Sequence, residues 1–278
     1  MISIFLSLSI KITDNPLPIR YPYIVLLSGH RTVITELSIL RLHLAHPSQS
    51  EPISLFSDRT HTMPLFSDIN EIVCDQHHSP FNQHYLQRIG AVLSNALQDH
   101  PRTTVIRVDL HLPEYRDVGD SIVCAPDISQ GVMSRFIESL KAQITAYQQR
   151  KAREGKRTHR SSIRYVWVRE QSALGNKHYH VALFVNTDTF NNLGSYDDQG
   201  QGLASLIQKA WLSALKMRDW PEYRTLVHFP ANPMYYLNRN HPTYRDTLDA
   251  VTFRLSYLAK VRSKCYSASE RSFGCSQN

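Results

Sequence analysis

The sequence predicts an α+β domain: a central antiparallel sheet of the split β-α-β kind with helices on one face, preceded by an N-terminal extension. Three observations predict it. Between about residues 105 and 230 the chain reads strand, helix, strand, strand, helix, strand. The two middle strands are separated by a Gly175-Asn176 turn signal, which points to a hairpin. The first strand alternates apolar and polar residues, as a half-buried antiparallel strand does.

Residues 1–65 carry mixed apolar patches and scattered prolines without a motif, and they form the extension. The opening apolar run has no basic residue before it, and Lys11 and Asp14 interrupt it, which reads against a signal peptide. Residues 23–44 contain Arg31, Glu36 and Arg41 and are too polar to span a bilayer. Residues 66–264 form the expected domain, and residues 265–278 read as a polar tail.

Within the domain, Leu86, Ile89, Leu93 and Leu97 recur at helical spacing. A strand follows over residues 105–113, with Arg107, Asp109 and His111 on one face and apolar residues on the other. Ser129 or Asp127 is positioned to cap a helix through Phe136, Ile137, Leu140, Ile144 and Tyr147. That helix runs out in Arg150, Lys151, Arg153, Lys156, Arg157 and Arg160, either a solvated helix end or a phosphate-contacting segment. A strand rich in β-formers spans residues 162–170, and another spans residues 178–186. A second amphipathic helix covers residues 203–215, and a short strand covers residues 223–230. The last helix starts near Asp246 or Thr247 and buries Leu248, Val251, Leu255 and Leu258.

The chain has 42% apolar residues, enough for a core, and a formal charge of +7, which favours polyanionic partners. Its four cysteines are widely spaced, with no Cys-x-x-Cys pair, and read as free thiols in a reducing compartment.

The chemistry concentrates at His178-Tyr179-His180. On a strand, positions i and i+2 share a face, so the two imidazoles can converge on one ion. If the hairpin closes symmetrically, Glu170 lies opposite His178, with paired Cβ atoms roughly 4.5–5.5 Å apart. A one-residue slip would turn the carboxylate away. Two histidines and a carboxylate leave coordination positions open for a phosphate oxygen. Zinc hydrolysis ranks lower, because the sequence has no His-Glu-x-x-His helix. Asp109 is held in reserve as the third ligand. Tyr257 and Lys260 are neighbours one helical turn apart, a phenol and an ammonium suited to attack on a phosphate and to neutralising its charge.

His178-Tyr179-His180 followed by Tyr257-Leu258-Ala259-Lys260 resembles the HUH nuclease signature. With Arg107-Val108-Asp109-Leu110 and Val168-Arg169-Glu170, the series is similar to the inovirus (filamentous phage) gene-two-type replication proteins, also called the YagK/YfjJ C-terminal domain family. The resemblance covers roughly residues 66–275. It implies an HUH-like fold, His178, His180 and Glu170 as ligands of Mg²⁺ or Mn²⁺, Tyr257 as nucleophile and Lys260 as its helper. It further implies nicking and rejoining of single-stranded origin DNA in rolling-circle replication, in the cytoplasm of a bacterial host. The sequence has no Gly-x-x-x-x-Gly-Lys-Ser/Thr motif, so unwinding falls to a host helicase, and synthesis to a host polymerase. A catalytically silent DNA-binding regulator on the same fold, or a transposase or relaxase, are the alternatives.

Overall fold

The structure, a computed structural model, describes residues 72–113, 125–172, 175–196, 200–264, 266–267 and 269–277. The chain divides into two compact units, Met1–Arg59 and Thr60–Asn278, and all described residues belong to the second. The expected extension and the thiols of Cys124 and Cys265 lie outside the described residues. Cys74 and Cys275 are free.

Helix α1, Gln83–Asp99, buries Leu86, Ile89, Leu93 and Leu97 as their spacing predicts. Its first turn is satisfied by Asn82, whose side chain accepts from the Tyr85 N–H. Strand β1, Arg102–His111, follows directly. Helix α2, Val132–Arg153, begins after Gly131, whose φ of 85° supplies a left-handed entry with no side-chain cap. Neither Ser129 nor Asp127 therefore caps it. The Asp127 carboxylate instead accepts from Ser129 and pairs with Arg135 and Lys216.

The hairpin consists of β2, Arg164–Gln171, and β3, Lys177–Asn186. Helix α3, Leu203–Ala214, comes next, and the expected strand at 223–230 shortens to β4, Val227–His228, because Pro221 starts a 3-10 helix over Pro221–Leu226. Strand β5, Met234–Asn238, leads to α4, Tyr244–Ser256, whose stripe of Leu248, Val251 and Leu255 is buried. A 3-10 turn, Tyr257–Ala259, completes it and buries Leu258.

With a last strand β6, Phe273–Cys275, all strand pairs are antiparallel, in the order β4-β1-β3-β2-β6, and β3 lies between β1 and β2. The outer edge of β1 is shared by two strands. Strand β5 pairs with Arg102 to Ile106 and β4 with Asp109 and Leu110, so most of that edge is covered.

Helices cover both faces of the sheet, where one covered face was expected. One layer packs α2 and α3 on Ile106, Val108, Leu110, Val181, Leu183 and Val185. The other packs α1 and α4 on Val105, Val166, Val168, Ala182 and Phe184. The polar face of β1 is covered as well, and Arg107 is buried there, 3% exposed. Its guanidinium donates to the carbonyls of Val108 and Val181 and to the Asp109 carboxylate.

The C-terminal segment is likewise not a free tail. Strand β6, Phe273–Cys275, adds to β2, with Gly274 opposite Trp167 and Cys275 buried. Glu270 pairs with the buried Arg169 and with Lys177. Among the described residues no helix is long and apolar enough to cross a membrane.

Candidate metal centre

The hairpin closes in the symmetric register. Glu170 faces His178 and Val168 faces His180. Strand β1 extends the row on the other side, Asp109 facing His180 and His111 facing His178, and β4 adds His228 beside Asp109. Period-two alternation puts all six polar groups on one face, at one end of the sheet. Trp211 of α3 holds that end in place, its indole N–H donating to the His111 carbonyl at 2.8 Å.

Glu170, His178 and His180 offer ligand atoms that lie within 4.8 Å of one another. His180 is buried. Its Nδ1 is 2.6 Å from Asp109 Oδ1, so the carboxylate holds the proton on Nδ1 and leaves Nε2 a lone pair. That Nε2 is buried, makes no hydrogen bond and stands 3.4 Å from Glu170 Oε2. A buried nitrogen with a free lone pair beside a carboxylate oxygen is what a cation would satisfy, so the donor set suits a divalent ion. Asp109, the reserve ligand, is thus placed behind His180 as its orienting partner. His178 is half-buried, and burial followed by the neighbouring His180 lowers its pKa, which keeps it neutral and available as a ligand.

Glu170 is 1% exposed. Burial alone would raise its pKa, but the His180 contact and the Lys264 charge overcome that and hold it below the usual carboxylate range. Lys264 Nζ lies 2.6 Å from Oε1, and Lys260 Nζ lies 2.9 Å from Oε2. The Ser263 hydroxyl donates to Oε2 at 2.6 Å. Burial brings the Lys264 ammonium down to about 8 against the pull of Glu170. Sequence reasoning missed Ser263 and Lys264. The only signal was their place directly after Lys260, in a turn where Ser263 takes a φ of 64°.

Tyr257 reaches the same place. Its ring lies 5.2 Å from that of His180, edge to face, and 4.8 Å from His78, which a pair with Asp75 holds. Lys260 Nζ sits 3.6 Å from the Tyr257 ring centroid. The turn is locked from both sides, Asn82 N–H donating to the Ala259 carbonyl and Phe81 bridging to Lys260. The Tyr257 hydroxyl makes no hydrogen bond among the described residues.

The basic run is not brought to this centre. His159 and Arg160 lie against Thr189 and Asn186 at the other end of β3. Eight residues of strand separate Asn186 from His178, about 26 Å. Glu154 also pairs with Arg150 and Lys156 there. Tyr235 and Tyr236, on β5, pair with Val105 and Thr104, four and five residues along β1 from Asp109, and are not brought to the triad.

Fold and site together define an α+β protein carrying a His-x-His and carboxylate triad on one sheet face, with a tyrosine and two lysines closing over it. The chain belongs to the YagK/YfjJ C-terminal domain family, whose model matches residues 66–276. It is 42% identical over 194 residues to uncharacterized protein YagK of Escherichia coli (strain K12), across 69% of this chain and 92% of that one. Uncharacterized protein YfjJ of the same strain is 34% identical over 204 residues, across 72% of this chain and 98% of its own. No solved structure matches.

Proposed function

We propose that this chain is a metal-dependent HUH-type endonuclease and strand transferase that nicks single-stranded origin DNA and rejoins it, initiating rolling-circle replication of a filamentous phage or prophage in the bacterial cytoplasm. The observation that carries the proposal is the placement of an unbonded Tyr257 phenol against His180 of the triad, with Lys260 between Tyr257 and Glu170.

His178, His180 and Glu170 would hold the ion, Mg²⁺ or Mn²⁺. When bound, it supplies a Lewis acid for a phosphate oxygen. Asp109 fixes the ring of His180. Tyr257 Oη attacks the phosphorus, so that the bond to Oη forms, the bond to the 3′ oxygen breaks and the phenolic proton is lost. The 3′ oxygen leaves with a proton as a free hydroxyl that primes synthesis, while Tyr257 retains the 5′ phosphate. Rejoining reverses each bond change. The Lys260 ammonium offsets negative charge as it builds on the phosphate. A host helicase and polymerase are the partners.

The ion cluster around Glu170 supports one other reading. Lys260, Lys264 and Ser263 satisfy the carboxylate with protein groups alone, as a catalytically silent DNA-binding regulator would need. A transposase or relaxase would share the chemistry and differ in its DNA. To decide, the protein is incubated with single-stranded origin oligonucleotides and Mn²⁺ and resolved on a denaturing gel. The wild type is expected to carry covalent DNA and Tyr257→Phe none. Equal adduct from both would remove Tyr257 as nucleophile, and none from either would leave the regulator.

A further inference from the structure

On the sheet face opposite the triad, α2 and α3 enclose a groove of about 990 Å³. Lys209, Arg218 and Arg224 line it, and no acidic or aromatic residue does. None of these three cations has a carboxylate partner among the described residues. Lys209 donates only to the Gly200 carbonyl, Arg218 only to the Ser213 hydroxyl, and Arg224 makes no side-chain bond. Arg135 also lines the groove, but Asp127 neutralises it. Unpaired cations gathered in one concavity call for a polyanion.

The ends of the groove give it direction. At one end, the 3-10 helix that carries Arg224 runs straight into β4, whose His228 faces Asp109 beside the triad. At the other end, Arg150 and Arg153 follow Ala146 of the lining by four and seven residues, on the same side of α2. From Arg135 to Arg153 the helix covers about 27 Å. The groove thus joins the edge of the candidate centre to the basic run, which otherwise lie at opposite ends of the sheet.

We propose that this groove is a track for a DNA backbone, its phosphates lying on Arg224, Arg218 and Lys209 and continuing onto Arg153. With no aromatic platform for bases, the contacts are to phosphate and independent of sequence, which suits the double-stranded flank of the DNA whose single strand reaches Tyr257. The choice of DNA rests on the nickase reading.

The test uses the full chain and a fluorescein-labelled DNA hairpin with a single-stranded tail, its affinity measured by anisotropy at several salt concentrations. Lys209→Gln, Arg218→Gln and Arg224→Gln combined are expected to weaken binding at least tenfold and to flatten the slope of log K against log salt by about 2–3, near 0.9 per phosphate contact. An unchanged affinity and slope would overturn the track and return the groove to an acidic protein partner. If the triple variant does not fold, the exposed Lys209→Gln alone should flatten the slope by about 1. Anisotropy does not read Tyr257 chemistry, so the two proposals fail separately. A slope that depends on the groove in a protein that forms no adduct upholds the track and sinks the nickase, whereas an adduct with an unaltered slope does the reverse.

Discussion

The ring of Tyr257 stands at 83° to the ring of His180, with 5.2 Å between their centroids. The two residues come from separate parts of the chain. His180 sits in the middle of the sheet, and Tyr257 follows the last turn of α4. Their meeting requires that α4 cover the polar end of β1, β2 and β3, and Leu255, Leu258 and Ala259 do this by burying themselves in the layer that holds Val166 and Val168. Packing of ordinary apolar residues, each contributing about 1.5–3 kcal/mol on burial, therefore sets the distance between phenol and imidazole.

Because the Tyr257 hydroxyl bonds to nothing among the described residues, Tyr257→Phe removes an oxygen without breaking a contact. Its stability in urea unfolding is expected to stay within about 0.5 kcal/mol of the wild type while covalent attachment to DNA disappears. A large loss of stability would instead mean that the phenol holds the fold.

Asp109→Asn bears on the metal directly. Without the carboxylate, the imidazole of His180 loses the partner that keeps the proton on Nδ1 and the lone pair on Nε2. Calorimetric titration with Mn²⁺ is expected to show affinity about 10–100-fold weaker than wild type. Equal affinities would mean that Asp109 does not orient a ligand.

Glu170→Ala would leave the ammonium groups of Lys260 and Lys264 buried without a counter-charge, and such a broken pair costs about 3–5 kcal/mol. Glu170→Gln keeps one acceptor oxygen, enough for Lys264 or for Lys260 and Ser263 but not for all three, and should cost less. Urea unfolding ranks the two. If Glu170→Ala unfolds like the wild type, the cluster does not stabilise the fold.

Acid should act in two steps. Burial lowers the pKa of His111 and His178 from an ordinary 6.5, so the unfolded chain binds protons that the folded one refuses, and stability falls as pH drops below about 6.5. Burial would raise the Asp109 carboxyl, but hydrogen bonds from His180 and Arg107 and the charge of Arg107 hold it below its ordinary 3.8, and Glu170 is likewise held below 4.5. The stability these carboxylates contribute is complete above those ordinary values and is lost as pH falls through them towards the folded values. Melting temperature against pH should therefore decline gently from neutrality and steeply below about 4.5, and His111→Asn should reduce the first decline alone. A curve flat down to about pH 4 would contradict the histidine step.

The parts of this arrangement that were legible in sequence depend on local periodicity. His178 and His180 share a face because strands alternate, and Glu170 meets His178 because a Gly175-Asn176 turn closes the hairpin. What the sequence hid depends on distant packing. Arg107 looks like a solvent-facing strand residue until two carbonyls and Asp109 are seen to satisfy it under α1 and α4. Lys264 has no periodic pattern at all. It reaches Glu170 only because the chain after Lys260 turns through the left-handed Ser263 and bridges to β2. The basic run was legible as charge, but not its distance from the triad.

The C-terminal strand gives a test of the same kind, since nothing in its composition announced it. Gly274 lies flat on the indole of Trp167, and a Cβ there would fall inside the ring's contact distance. The obstacle is a ring partly buried between β6 and the layer of α2 and α3, packed edge to face on Tyr179 at 5.9 Å. Gly274→Ala is therefore expected to cost roughly 1–3 kcal/mol by overpacking and to free β6 from β2. Hydrogen exchange separates this from a general loss of stability. The amide of Arg169, which donates to the Ser272 carbonyl, should lose protection in the variant, while that of Arg107, bonded to the Pro233 carbonyl on the far side of the sheet, should keep it. Equal loss at both would mean that β6 and the rest of the sheet unfold as one, and no loss at either would mean that Trp167 yields to the methyl group.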